Sequence, residues 1–297
     1  MEQQNRKHEL AQQGTAQRQD STAGNPSSVR ASLTYTLHLP EKLIYLITEM
    51  GEDEDSPEYH KWYDVHDVTI ENARSGLKDL SLDREGFVLR QAQTAVTDFY
   101  DNAQVRDRYE GEVKDLIEDI TGADEVVVFD HTIRVESDRL RRERHVREIV
   151  NLVHNDYTVR SGPQRVRDLL GDEKAEKYLA GRFAIFNLWR SIAGTVFSTP
   201  LALCEAQSVK PEDWVEAGLD YGDRMGEIYN TAYNPDHRWR YFPAMTADEV
   251  LVFKNFDSAT DGRARFTPHT AFVDPTSPPD APPRESIETR ALAFFGS

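Results

Sequence analysis

Val153-His154-Asn155-Asp156-Tyr157-Thr158-Val159 is rich in β-branched and aromatic residues, which favour extended backbone. Side chains alternate along a strand, so His154 and Asp156 face the same side. An imidazole and a carboxylate side by side are two legs of the facial triad that holds non-haem Fe(II) and leaves three adjacent coordination positions open. Taken alone, His-x-Asp is a weak signal. With 9 histidines and 52 acidic residues in 297, one or two His-x-acid pairs are expected by chance. Only His154 has an acid two positions on, and it does so inside a strand-like run.

Outward from this stretch the chain reads as mostly short strands. Ser32–Leu37 alternates as a half-buried strand does, and Glu125–Asp130 is a β-branched run suited to burial on both faces. Phe183–Trp189, Glu249–Lys254 and Ser286–Phe295 are further strands. Helices are fewer. Arg106–Thr121 carries apolar residues at three- and four-residue steps and ends at Gly122. A second helix opens at Ser161-Gly-Pro-Gln164, read as a capping box, and runs through Val166, Leu169 and Leu170. No fixed-period repeat is present. The expected fold is mainly β, a double-stranded β-helix (jelly-roll) core with flanking helices. Residues 1–28, poor in large apolar side chains, are expected to be a disordered tail, and 29–297 one domain. The acidic run Gly51–Pro57 is expected to be a loop.

A third metal ligand is available downstream in Phe266-Thr-Pro-His-Thr-Ala-Phe272, where His269 follows the Asp261-Gly262 turn. Its alternative reading is a loop histidine bonded to backbone. In the C-terminal strand, Arg284, Ser286 and Arg290 share one parity and therefore one face. Two buried guanidinium groups are costly without an anion, and a dicarboxylate such as 2-oxoglutarate supplies one. The alternative is pairing with Glu288 or another acid on an exposed edge. Asn187, Trp189 and Tyr241 are candidate pocket residues, with structural packing an equal explanation for the aromatics. His131 and Arg134, after the Glu125–Asp130 strand, are further candidates, although a satisfied core position is the better reading of His131. His8, His38, His60, His66, His145 and His237 have no ligand-like neighbour at strand spacing.

Composition narrows the function classes. A formal charge of −17 argues against nucleic acid, whose binding draws on clustered Lys and Arg. The basic run Arg139–Arg144 is interrupted by acids and reads as a solvated loop or a salt-bridged face. No apolar run is long enough to span a bilayer, no secretory signal is recognisable, and the cytosol is the expected compartment. The single cysteine, Cys204, lies in an apolar run and reads as a buried inert thiol.

These residues carry a resemblance. Phe129-Asp-His-Thr-Ile-Arg134, Val153–Thr158 with Ser161-Gly-Pro163, Asn187-Leu-Trp-Arg190 and Pro200-Leu-Ala-Leu-Cys204 form its first half. His237–Pro243, Asp248-Glu249 with Lys254 and Asp257-Ser258, Pro268–Phe272 and Arg284–Arg290 complete it. The series, from about residue 31 to the C-terminus, resembles the fungal and bacterial non-haem iron hydroxylase/desaturase family. That family includes the 7α-cephem methoxylase component, gibberellin desaturase-like tailoring enzymes and a meroterpenoid endoperoxide-forming oxygenase. Ser191 and Glu205 depart from its usual Pro and Asp, at positions that bind no metal.

The resemblance implies a double-stranded β-helix, Fe(II) at His154, Asp156 and His269, and 2-oxoglutarate on the C-terminal strand. Arg284 is the best-placed arginine, and Arg290 reaches the metal-proximal carboxylate or Asp156. The expected activity is a 2-oxoglutarate- and O2-dependent dioxygenase hydroxylating or desaturating a C–H bond of a small natural product in secondary metabolism. Two other readings stand beside it. One is an iron oxygenase of the same fold forming an endoperoxide or ring without stoichiometric 2-oxoglutarate use. The other is a non-catalytic metal-binding jelly-roll acting as an interaction protein. A homodimer is a further expectation, from the amphipathic helix Arg106–Thr121.

Overall fold

The computed structural model describes residues 26–48, 51–52 and 60–296. Most of the expected tail, and the acidic run from residue 53 on, lie outside the described residues. Strands dominate, as expected. They are β1 (Ser28–Thr36), β2 (Leu43–Thr48), β3 (Gly51–Glu52), β4 (Tyr63–Asn72), β5 (Phe87–Gln91) and β6 (Glu125–Val135). Next come β7 (His154–Asn155), β8 (Arg182–Ser191), β9 (Leu201–Cys204), β10 (Trp214–Asp220) and β11 (Met225–Thr231). The last are β12 (Trp239–Tyr241), β13 (Glu249–Asp257), β14 (His269–Ala271) and β15 (Glu285–Phe295).

They form two sheets. The larger has the order β1-β4-β12-β9-β14-β7-β11-β10-β2-β3, and the smaller β5-β13-β8-β15-β6. Leu201 and Leu203 of the larger sheet pack with Phe87, Trp189, Leu251 and Phe253 of the smaller, so a common core lies between the two. Burying each such side chain contributes about 1.5–3 kcal/mol. This is the jelly-roll arrangement, and it leaves the smaller sheet with an outer face to cover.

A helix covers that face. Glu110–Thr121 is preceded by a π-helical turn, Val105–Tyr109, and ends at Gly122, whose φ of 67° is the left-handed value that glycine adopts without a Cβ clash. Tyr109, Val113 and Ile117 pack on Val88, Phe186, Leu188 and Ala291. The second expected helix spans Ser161–Leu170. Its start corrects the capping-box reading, because the cap position is Arg160 and makes no side-chain bond, while the Ser161 hydroxyl accepts from the Thr158 N–H. The basic run Arg139–Arg144 is helical rather than a loop, within Asp138–Arg144, and Arg139 pairs with Glu143 at 2.8 Å. A helix over Asp172–Leu179 was not anticipated, since its apolar positions are few. Cys204 is fully buried, and burial pushes its thiol up to about 12, which makes it inert.

Candidate metal centre

β7 is only two residues long, so the extended run expected at Val153–Val159 is short, and Asp156 sits just beyond its end. The pairing partners matter more than the length. β14 runs antiparallel to β7 and places His269 directly opposite His154, with ring centroids 4.4 Å apart. The Asp156 Oδ1 lies 3.4 Å from the His154 Nε2. One ligand atom from each of His154, Asp156 and His269 falls within 4.8 Å of the other two. Three donors from two distant segments thus meet at one point.

Their hydrogen bonds orient them. His154 Nδ1 is 2.8 Å from the Leu152 carbonyl, and His269 Nδ1 is 3.0 Å from the Thr267 carbonyl. Each ring therefore donates from Nδ1 to backbone two residues upstream, which puts the lone pair on Nε2. The His269 Nε2 is buried with no hydrogen-bond partner among the described residues. A buried acceptor left in this way is costly unless a cation takes it. Burial first, and His154 second, bring the His269 imidazole down to about 3, so it is neutral at physiological pH.

The Asp156 Oδ2 is saturated by three donors, one from each of three adjacent strands of the smaller sheet. Asn187 Nδ2 on β8 donates at 2.9 Å, Asn255 Nδ2 on β13 at 3.1 Å and Arg290 Nε on β15 at 2.9 Å. Burial pulls this carboxyl upward, but the Arg290 guanidinium and the His154 contact outweigh it and hold it well below the usual carboxylate range. With Oδ2 committed to donors, Oδ1 remains for a metal. These donor atoms and their supports fit an Fe(II) ion.

Asn255 reaches Asp156 because β13 bulges between Lys254 and Phe256. Asn155, the intervening residue of His-x-Asp, points to the opposite face and ties the site together. Its amide donates to the Asn255 carbonyl at 2.9 Å, and its Oδ1 accepts from the Thr267 N–H at 3.0 Å. Neither asparagine was singled out from sequence; the only available signal for Asn155 was its place between the two ligands.

The remaining candidates divide. Arg284 is buried, its Nη1 donates to the Thr199 carbonyl at 2.6 Å, and its guanidinium lies 5.4 Å from the centre of the Trp189 ring. The Arg284 Nε and the Thr199 Oγ1 are both buried without a partner among the described residues. Burial, and then Arg134, bring the Arg284 guanidinium down to about 9. Such a cation suits a carboxylate ligand. Ser286 is buried on β15, just past Arg284, with only a long 3.4 Å bond to the Arg134 carbonyl.

Arg290 is a correction as a co-substrate residue, while its expected reach to Asp156 holds. Its Nε, Nη1 and Nη2 are committed to Asp156, Asp130 and Glu288, so it has no spare face for a dicarboxylate and instead braces Asp156. The pairing with Glu288 considered from sequence does occur, but in a buried strand rather than at an exposed edge. His131 is a second correction as a pocket residue, and it takes the satisfied position favoured for it. It pairs with Thr289, one residue out of phase with Arg290, and its ring nitrogens meet Thr289 Oγ1 at 2.8 Å and Glu110 Oε1 at 3.2 Å on the helix side of the sheet. Tyr241 is a third. It pairs with Ala202, whereas His269 pairs with Leu203, so it lies on the opposite sheet face and packs edge-on to Phe272. Asn187 and Trp189 stay at the site as supports for Asp156 and Arg284. Arg134 lines a cavity of about 120 Å³ that opens over His154 and Asp156.

Residues 33–294 match a family described as "Oxidoreductase/YMDC permease-like domain". No helix among the described residues is long and apolar enough to cross a membrane. The chain is 33% identical over 255 residues to the hydroxylase/desaturase efuI of Hormonema carpetanum, covering 78% of this chain and 85% of that protein. It is 30% identical over 248 residues to the Fe(II)/2-oxoglutarate-dependent dioxygenase nvfI of Aspergillus novofumigatus, covering 78% of this chain and 84% of that one. The solved structure of the iron and alpha-ketoglutarate-dependent endoperoxidase NvfI superimposes with a TM-score of 0.78 at 26% identity, over 91% of this chain and 99% of that one.

Proposed function

Because the chain belongs to the fungal hydroxylase/desaturase and Fe(II)/2-oxoglutarate-dependent dioxygenase family, we propose that it oxidises an unactivated C–H bond of a small natural product, by hydroxylation or desaturation. In this reading His154, Asp156 and His269 hold Fe(II), and Arg284 with Ser286 holds the far carboxylate of 2-oxoglutarate. Bound Fe(II) and 2-oxoglutarate supply the oxidising power, as O2 is consumed and 2-oxoglutarate is decarboxylated to succinate. The protein's own residues provide orientation and exclusion of water. Asn187, Asn255 and Arg290 keep Asp156 ionised and turned, and the two backbone-bonded Nδ1–H groups fix which imidazole nitrogen is offered. Residues 29–297 act as one domain in the cytosol, without nucleic acid, and a homodimer remains part of the proposal.

The buried, partnerless Nε2 of His269 carries this reading, since it makes a histidine opposite His154 costly without a cation. To test it, succinate release from 2-oxoglutarate is measured with Fe(II) and O2 present. His154→Ala abolishes the release if the proposal is right, and unchanged release removes it. The likeness to an endoperoxidase favours one second reading, in which O2 is incorporated without matching succinate. Comparing O2 uptake with succinate yield separates the two.

A further inference from the structure

Beside the metal ligands, the 120 Å³ cavity is lined by Arg134, Arg147, Arg165, Arg224 and Arg290. In a chain of net charge −17, so many arginines around one opening need an explanation. The acids of the same cavity do not provide it. Asp130 and Asp156 are both committed to Arg290, Glu227 to Lys42 and Arg160, and Asp168 accepts from the Gln164 amide. Among the described residues, Arg147 and Arg165 have no carboxylate at ion-pair distance. Arg165 is half-buried, its Nε is buried without a partner, and its guanidinium stands 5.0 Å from the centre of the Phe129 ring. Half-burying a guanidinium unpaired is unfavourable, and a planar carboxylate is the anion it binds bidentately.

Both arginines act at the same spot. The Asp130 carboxyl is pulled up by burial, yet Arg290, with Arg147 and Arg165 behind it, holds it below the usual range. Arg290 is shared with Asp156 and Glu288, so Arg147 and Arg165 are the two guanidinium groups beside Asp130 that no carboxylate holds at ion-pair distance among the described residues. Farther out the lining turns apolar, with Leu219, Ile228 and Met225. An adjoining cavity of about 320 Å³ shares Ser161, Gln164, Met225, Gly226 and Glu227 with the first and adds Ile44. Ile44 and Met225 are 49% and 58% exposed and form an apolar lip.

We propose that the substrate is an amphiphilic carboxylic acid, its carboxylate held by Arg147 and Arg165 and its apolar body lying along Met225 and Ile44. The proposal rests on the oxygenase reading above and adds the substrate class to it. The carboxylate subsite is separate from that of the co-substrate, because Arg284, just before β15, does not line this cavity.

Decanoate and methyl decanoate are the probes, titrated calorimetrically into the metal-free full-length chain. Decanoate is expected to bind at least about tenfold tighter than its ester, and Arg147→Gln/Arg165→Gln to remove that preference. 2-Oxoglutarate is titrated in parallel into both proteins loaded with Mn(II). Its affinity is expected to change by much less than that of decanoate. Equal binding of acid and ester by the wild-type chain overturns the proposal, as does the absence of saturable decanoate binding. Weakening of 2-oxoglutarate in step with decanoate also overturns it, by assigning the arginines to the co-substrate. Loss of the oxygenase reading shows elsewhere, as absent succinate release, and leaves these titrations intact.

Discussion

At the scale of single residues, the site is defined by how each ligand atom is left available. Asp156 has one oxygen enclosed by Asn187, Asn255 and Arg290 and the other facing His154. Removing one of those supports frees the carboxylate to rotate without touching a ligand. Asn255→Ala is therefore expected to weaken Fe(II) binding by roughly 10–100-fold, measured by metal titration under anaerobic conditions. An unchanged affinity would mean that the bulge does not orient Asp156. Arg284 has a different task, with a buried guanidinium whose Nε has no partner. Arg284→Ala is expected to raise the KM for 2-oxoglutarate by roughly 30-fold or more, since truncating a buried charge pair costs about 2–5 kcal/mol. The ligand pair was legible because strand parity is a local rule. The threefold support of Asp156 was not, because it depends on which strands become neighbours.

At the scale of elements, two irregularities do the positioning. The bulge in β13 aims Asn255, and the helix Ser161–Leu170 packs directly on that bulge. A Cβ at Gly162 would stand 2.7 Å from the Phe256 ring, which follows the bulge. Gly-to-Ala in a helix ordinarily stabilises by up to about 1 kcal/mol. Here the clash reverses the sign, and Gly162→Ala is expected to destabilise by about 1–3 kcal/mol, seen as a lower Tm. A raised Tm would show that the contact yields. The expected strands over Glu125–Asp130, Phe183–Trp189, Glu249–Lys254 and Ser286–Phe295 lie in β6, β8, β13 and β15. β6 is an edge strand and mostly half-buried, which corrects the burial on both faces expected for Glu125–Asp130. The other three are buried almost throughout and read as near-continuous apolar runs. β4, β10 and β11 escaped notice for the opposite reason. Partly exposed strands such as Tyr63–Asn72, with Asp64, His66 and Asp67, lack that apolar signal. Tyr241 failed as a pocket residue because one register step separates it from the face that carries His269.

At the scale of the whole molecule, ion pairs join segments far apart in sequence, and pH reaches all of them. Glu227, between Lys42 and Arg160, is pulled up by burial but brought down to about 2 by those partners. Asp257 behaves alike, with Arg182 and Lys254 outweighing its burial. For such depressed carboxylates the unfolded chain binds more protons as acid is added. Their stabilisation is present above the ordinary carboxylate range and is lost as pH falls through the folded values. The Tm is expected to drop between about pH 4.5 and 2, and Glu227→Gln to make that drop shallower. A Tm independent of pH over that window would contradict the pairing. The jelly-roll class and the meeting of His154, Asp156 and His269 were readable from the chain. The contact of Arg290 with Asp156 and the satisfied setting of His131 were among the expected readings, whereas their further partners Asp130 and Thr289, more than a hundred residues away in sequence, were not. The central claim, that His154, Asp156 and His269 converge on one ion, is tested most directly by anaerobic Fe(II) titration of the full chain and of each single alanine variant. The account predicts one ion per wild-type chain and loss of tight binding in all three variants. Full-affinity Fe(II) binding that persists when His269 is replaced would contradict it.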